Sequence, residues 1–293
     1  MTEQQAVLEA RGIVKVFGQH RALDAVDFTA LPGEVHALLG ENGAGKSTLI
    51  KILTGAYQPD GGELLLEGQP ITLRDPLHGQ GYGIGTVYQE VNLLPNRSVA
   101  ENLFLGRQPT RFGLVNRREI ERRASELLAR YGLEIDVRAD LSDYSVAVQQ
   151  IVAIARAVEL SGKVLVLDEP TASLDRNEVQ RLFDVVRGLK AKGLAIIFIT
   201  HFLDQVFDLA DRVTILRNGK KVATQPLSAL NTTDVVRMML GKDVAFEHHP
   251  SVLAGGTRGA VRVQFRNLGR KGMAPFDLAV HEGEVVGVAG LLG

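Results

Sequence analysis

The stretch VHALLGENGAGKSTLIKIL, residues 35–53, decides how the rest of the chain is read. A short β-favouring run leads into GENGAGKST, which meets the pattern G-x-x-x-x-G-K-[ST], and a helical pattern begins at Lys46. Strand, glycine turn and helix in that order form a phosphate-binding loop. Gly40, Gly43 and Gly45 let the backbone amides of the segment that also holds Glu41, Asn42 and Ala44 turn inward around an anion. The start of the helix, with Ser47 and Thr48, adds partial positive charge. Lys46 is expected to reach the terminal phosphates, and the Ser47 hydroxyl to meet Mg²⁺.

Working outward, VLVLDE (residues 164–169) carries Asp168 to the C-terminal end of an apolar strand, where an open sheet collects its ligands. Asp168 suits a magnesium shell, and Glu169 follows at once. Adjacent acids at a strand end also occur as helix caps or plain surface; the phosphate loop upstream weighs against that alternative. A third apolar run, AIIFITH (residues 195–201), closes on His201, one helix and one strand beyond Glu169. A lone histidine at such a point is otherwise a satisfied polar group.

Apolar runs followed by helices predict strands buried on both faces, hence an α/β fold with a largely parallel centre. Leu182, Val185, Val186 and Leu189 repeat at helical spacing. In NRREIERRASELLARYG (residues 116–132), Ile120, Ala124, Leu127, Leu128 and Tyr131 share one stripe with arginines opposite, so a mainly helical insertion is expected over about residues 116–160, inside a helical subdomain at about 90–160. The arginines read more readily as a solvated face than as contacts to phosphate or lipid. ELLLEGQPI, after Asp60, and VTILRNGKKVAT, with Asn218-Gly219 at its turn, read as hairpins.

The composition limits the partners. With 33 basic and 34 acidic residues among 293, the net charge of −1 gives no electrostatic footprint for nucleic acid, and none is expected as a partner. The absence of cysteine excludes disulfides and thiolate metal sites and fits a reducing compartment. No signal peptide and no apolar run of membrane-spanning length is found.

Taken together, these motifs resemble the nucleotide-binding domain of ABC transporters over residues 5–245. The fold this implies is an α/β P-loop NTPase domain of ABC type, with a mixed sheet core, an antiparallel β subdomain and a helical subdomain. The resemblance also implies ATP and Mg²⁺ as cofactors. By its position Phe17 would stack on adenine, the alternative being a core phenylalanine. Gln89, in VYQEVNLLPNRSVAENLFLG, matches the glutamine loop that senses Mg²⁺ and water and touches the permease. The same resemblance makes Glu169 the residue that polarises the attacking water and His201 the switch near the γ-phosphate. It sets Asp175 in the loop crossing the dimer interface.

One motif departs from the family. Where the signature LSGGQ is expected, residues 144–148 read YSVAV. Ser145 is kept, but Val146 and Ala147 stand where two glycines would let the backbone approach the partner's γ-phosphate, so this half-site is expected to be weak.

After a linker over residues 246–259, residues 260–293 resemble the opening of the first domain. Gly33, Glu34, Val35, Gly40 and Gly43 align without gaps on Gly283, Glu284, Val285, Gly290 and Gly293. A truncated start of a second ABC domain is the expected reading, with a β-extension of a single domain as the alternative. The wider resemblance is to the fused double-domain ATPases of bacterial sugar importers, the galactofuranose type above all, through YSVAVQQIVAIARAV, LDEPTASLD, THFLDQV and APFDLAV. It implies permease subunits, a second ABC domain (the other half, or a homodimer mate) and, indirectly, a periplasmic sugar-binding protein as partners. It also implies a peripheral location on the cytoplasmic face of the inner membrane. The rivals are a soluble ABC ATPase of translation or DNA repair, and a nucleotide-binding fragment without turnover of its own.

Overall fold

The chain opens with a long hairpin, β1 (Leu8–Phe17) and β2 (His20–Ala30), and passes into β3 (Val35–Leu39), all of whose residues are buried. The helix after the glycine loop is α1 (Lys46–Leu53); β4 (Gly61–Leu66) and β5 (Gln69–Ile71) then form a second hairpin. The run continues through α2 (Pro76–Gly81) and β6 (Ile84–Val87). The inserted part holds α3 (Val99–Leu103), the two-residue strands β7 (Thr110–Arg111) and β8 (Leu114–Val115), α4 (Arg117–Ala129) and α5 (Val146–Leu160). Strands and helices then alternate through β9 (Val164–Asp168), α6 (Arg176–Ala191), β10 (Ala195–Ile199), α7 (Leu203–Leu209), β11 (Arg212–Arg217), β12 (Lys220–Pro226) and α8 (Thr232–Leu240). A separate unit contains β13 (Val261–Arg270) and β14 (Met273–His281). These elements come from a computed structural model that describes residues 5–88, 93–111, 114–241, 259–270 and 273–287.

Six strands form the central sheet in the order β12-β11-β3-β10-β9-β6, parallel except for β12. Period-two alternation sends Val166 and Ile197 to one face, where they pack on α1 and the four-stranded antiparallel sheet β2-β1-β4-β5. Leu165, Leu167, Ile196 and Phe198 face the other way, onto α5 and α6. Such strands carry no polar face because neither side meets water. Both expected hairpins form on two-residue turns with left-handed backbone, Glu67-Gly68 (φ 51° and 78°) and Asn218-Gly219 (φ 49° and 74°), as type I′ geometry requires.

In the inserted part, Ile120, Ala124, Leu127 and Leu128 are buried, while Tyr131 lies just beyond the end of α4 and is half-buried. The opposite face of α4 is an ion-paired surface: Arg122 reaches Glu119 at 2.7 Å and Glu126 at 2.6 Å, and Arg123 reaches Glu119 at 2.6 Å. Arg122 and Arg123 hold the Glu119 carboxyl down at about 2. A face already occupied in this way matches the solvated reading of these arginines. Helix α3 was not legible in the hydrophobic pattern; it is set by a capping box of Ser98 and Glu101 and by fully buried Asn102. The Asn102 side chain donates to the carbonyls of Leu94, Arg97 and Ser98 and accepts from the Leu94 amide.

The hairpin of β13 and β14 repeats the first hairpin pair by pair. Leu8↔Ala30, Ala10↔Phe28 and Ile13↔Val26 have counterparts in Val263↔Val280, Phe265↔Leu278 and Leu268↔Phe276, with a break in register at the same point. At that break Gly12 (φ 57°) donates its N–H to Asp27 Oδ1 at 2.8 Å, and Asn267 (φ 51°) donates to Asp277 Oδ1 at 2.6 Å. In the first hairpin Leu8, Ala10, Ile13 and Val26 are buried, whereas Val263, Phe265, Leu268 and Phe276 are exposed. The expected linker, residues 246–259, lies outside the described residues except for Gly259.

Phe183 on α6 is fully buried, edge-on to Phe198 of β10 at 5.9 Å between ring centroids. Phe183→Ala is expected to lower unfolding stability by about 3–5 kcal/mol in urea denaturation, through lost burial and an unfilled cavity. A loss under about 1 kcal/mol would mean that α6 does not need this contact.

Candidate functional site

The ends of β3, β10 and β9 lie side by side, and the loops leaving them form one cleft. Phe17, His20 and Ala22, then Asn42, Gly43, Gly45, Lys46, Ser47 and Thr48, with Asp168, Glu169 and Ile199 opposite, enclose about 320 Å³. The glycine loop takes its shape for a steric reason. Gly45 has φ 104°, and a Cβ there would stand 2.8 Å from the Ala22 carbonyl oxygen and from Leu23 Cδ2. It is also the N-cap of α1, with no side-chain cap and no acid in the first turn, so that end of the helix keeps its positive character.

Lys46 Nζ donates to the carbonyls of Gly40 at 2.7 Å and Glu41 at 3.0 Å, folding the ammonium back along its own loop. Burial pushes its pKa below the ordinary lysine value, and the charges of Glu169 and Asp168 pull it partly back. Asp168 moves the other way: burial raises its pKa first, the Glu169 charge adds to that, and Lys46 and Lys51 oppose it. A site with two carboxylates and one retracted ammonium lacks positive charge, and a cation would supply it.

Ser47 and Asp168 fit magnesium, since both offer oxygen only to a hard ion. Among the described residues no group of three or more His, Asp and Glu side chains could hold a metal unaided. The rest of a magnesium shell would therefore fall to phosphate and water.

Glu169 sits on strained backbone. Its φ is 47°, which is unfavourable for a residue with a side chain and doubly so before Pro170. Such conformations cost about 1–3 kcal/mol and persist only where neighbours enforce them. Here the Glu169 N–H donates to the Ile199 carbonyl at 3.0 Å, bridging β9 to β10. The carboxylate lies 3.5 Å from His201 Nδ1, so acid and imidazole are neighbours in the cleft. Asp175 caps α6 by accepting the N–H groups of Asn177 and Glu178.

Phe17 is exposed at the mouth of the cleft, edge-on to Tyr57 at 5.6 Å, so the core-phenylalanine alternative is ruled out. Gly40, Glu41 and Ala44 belong to the loop without lining the cleft themselves. Ser145 is not brought to this cleft; it is exposed at the N-cap of α5, beside exposed Val146. Gln89 lies outside the described residues. His20 and Ala22 were not foreseen, because only the hairpin turn after Phe17 carries them back to the loop.

A glycine loop opening a helix, facing paired acids at the end of a neighbouring parallel strand, defines a P-loop nucleotide-binding domain. The antiparallel sheet and the inserted helices give that domain the form of an ATP-binding cassette. The sequence model described as "ABC transporter" matches residues 23–172, just over half of the chain, and the chain belongs to that family. A galactofuranose transporter ATP-binding protein of Escherichia coli (strain K12) is 55% identical over 294 residues, covering 99% of this chain and 58% of that protein. A ribose import ATP-binding protein of Rubrobacter xylanophilus is 50% identical over 288 residues, covering 98% and 57%. The chain thus spans less than three fifths of these curated relatives. Among solved structures, a nucleotide-free ATP-binding cassette of an ABC transporter superposes with TM-score 0.69 at 28% identity, covering 81% of this chain and 96% of that one. A second cassette in its ADP conformation gives 0.71 at 29%, covering 81% and 99%.

The raised Asp168 pKa predicts a measurable sign. Below the ordinary carboxylate value of 3.8 the group is neutral both folded and unfolded, so burying it carries no charge penalty. As pH rises through that value toward the folded pKa, the penalty grows, and it is complete above the folded pKa. Asp168→Asn should therefore melt higher than wild type at pH 7 without nucleotide, and the gain should vanish on acidification below 3.8. A gain independent of pH in thermal melts would contradict the electrostatic cause.

Proposed function

We propose that this chain is the ATP-binding and ATP-hydrolysing part of a bacterial sugar importer. The observation that carries the reading is the cleft in which the Lys46 loop faces Asp168 and Glu169, with His201 against the glutamate. In the proposed cycle the amides of residues 40–48 and the start of α1 bind the phosphates, and Lys46 leaves its loop carbonyls for them. Phe17 stacks on the base. Ser47 and Asp168 would hold magnesium, with Gln89 expected to join them, and the ion would supply positive charge to the phosphates. Glu169 accepts a hydrogen bond from the attacking water and orients it, while His201 stands by as a donor toward the phosphoryl group.

Catalysis of this kind is mainly positioning and charge neutralisation. The mechanical step comes from binding: two cassettes close over nucleotide, and hydrolysis reopens them. The segment around residues 89–102 is proposed to pass that motion to a membrane permease. Ser145 and the exposed start of α5 would serve the nucleotide of the facing cassette. Val146 there fills the space a glycine would leave open, so that half-site is weak.

Residues 260–293 are proposed to begin a second cassette. The register and the Asp277 bond of the tail hairpin, so close to those of the first, support this. Its exposed apolar face corresponds to residues that are core in the first hairpin. The relatives are described as transporting or importing galactofuranose, ribose and fructose, which supports a monosaccharide as the cargo, galactofuranose first among them. Partners of this kind would hold the chain peripherally on the cytoplasmic face of the inner membrane, and none of its described helices is long and apolar enough to cross a bilayer.

Glu169→Gln is expected to bind MgATP normally and to turn over about a thousandfold more slowly, as measured by phosphate release. Full turnover in that variant would remove the glutamate from its role. Lys46→Ala should lose nucleotide affinity in a fluorescence titration, and an unchanged dissociation constant would refute the phosphate-loop reading.

A further inference from the structure

Nothing in Glu169 itself explains why it sits at φ 47° ahead of a proline, so the cause must lie in its neighbours. One restraint is the backbone bond from its N–H to the Ile199 carbonyl. A second begins two residues on. The hydroxyl of buried Thr171 donates to Gln205 Oε1 at 2.6 Å. Buried Thr200, immediately before His201, brings its own hydroxyl to 3.4 Å from the same oxygen and accepts the Phe202 N–H at 3.1 Å.

Gln205, half-buried in α7, therefore ties the loop that follows Glu169 to the loop that carries His201. It lines no part of the nucleotide cleft. Its reach is indirect.

We infer that Gln205 is a positioning residue for hydrolysis: its amide oxygen clasps Thr171 and Thr200, and so keeps Glu169 in its left-handed turn facing His201. The inference rests on the reading of Glu169 as the group that orients water. Without an acceptor at position 205 the Thr171 hydroxyl is left buried and unpaired, and the turn is free to relax toward the extended backbone that a residue before proline prefers. The carboxylate then leaves the imidazole. Nucleotide binding is spared, because the bonds of residues 40–48 do not involve the clasp.

The test compares single-turnover ATP hydrolysis, with protein in excess over labelled ATP, in wild type, Gln205→Met, Thr171→Val, Thr171→Ser and the double variant Gln205→Met/Thr171→Val. Misplacing a catalytic group by about 1 Å can cost up to about a hundredfold. A fall of about tenfold in the saturating rate is expected for Gln205→Met and for Thr171→Val, with half-saturation changed less than about twofold. Thr171→Ser, which keeps the hydroxyl, should retain the wild-type rate. The double variant should be no slower than either single one, because both changes break the same bond.

A wild-type rate in Gln205→Met would overturn the inference, as would losses that multiply in the double variant. Should Gln205→Met fail to fold, the Thr171→Val and Thr171→Ser pair decides: equal rates in the two overturn it, and loss in Val alone supports it. Glu169→Gln, run alongside, separates this from the underlying reading. Full hydrolysis in that variant defeats the role of Glu169, whereas a dead Glu169→Gln beside a normal Gln205→Met defeats only the clasp.

Discussion

A half-buried ammonium and two carboxylates share one cleft, and much of the molecule is arranged so that they can. Lys46 sits at the start of α1, and Asp168 and Glu169 at the end of β9, separated by a single strand, β10, in a parallel order that points all three strand ends the same way. Burial acts against charge on both sides, lowering the lysine and raising Asp168. Bringing like and unlike charges together at the edge of an apolar core makes the cleft a compromise, which a polyphosphate with its cation would relieve.

The rigidity of this arrangement comes from strands that see no water and from glycines that admit close backbone contact. The inserted helices, by contrast, join it through α5. Its Ile151 and Ile154 pack against the core with α6, while Val152 and Ala155 belong to the cluster of α3 and α4. One helix therefore serves two apolar clusters, and it runs from the altered signature at Ser145 almost to the start of β9.

The tail hairpin repeats the local chemistry of the first. Asp27 and Asp277 each accept the N–H of a residue held at positive φ, and each fixes the same break in strand register. Side chains that are core in the first hairpin stand exposed in the second. Hairpin register follows from turns and cross-strand pairs close in sequence, whereas burial of its apolar face needs partners from far along the chain.

Much of the fold is legible in the residues alone. The apolar runs that become β3, β9 and β10, the helix starting at Lys46, the stripe of α4 and the Asn218-Gly219 turn all follow from periodicity and turn chemistry, which act over a few neighbours. The phosphate loop and the acids at 168 and 169 are legible for the same reason, since their spacing is itself the chemistry. Short α3 escapes because it is set by Ser98, Glu101 and buried Asn102, which leave no periodic trace. Sequence by itself thus determined the strands and helices nearest the phosphate loop, the loop itself and the identity of the charged groups. Only the tertiary structure decided that Phe17 is exposed at the cleft, that His20 returns to it, that Glu169 is bent into a left-handed turn, and that Gln205 joins the segments on either side. These depend on groups tens or hundreds of residues apart meeting in space, and no local spacing encodes such a meeting.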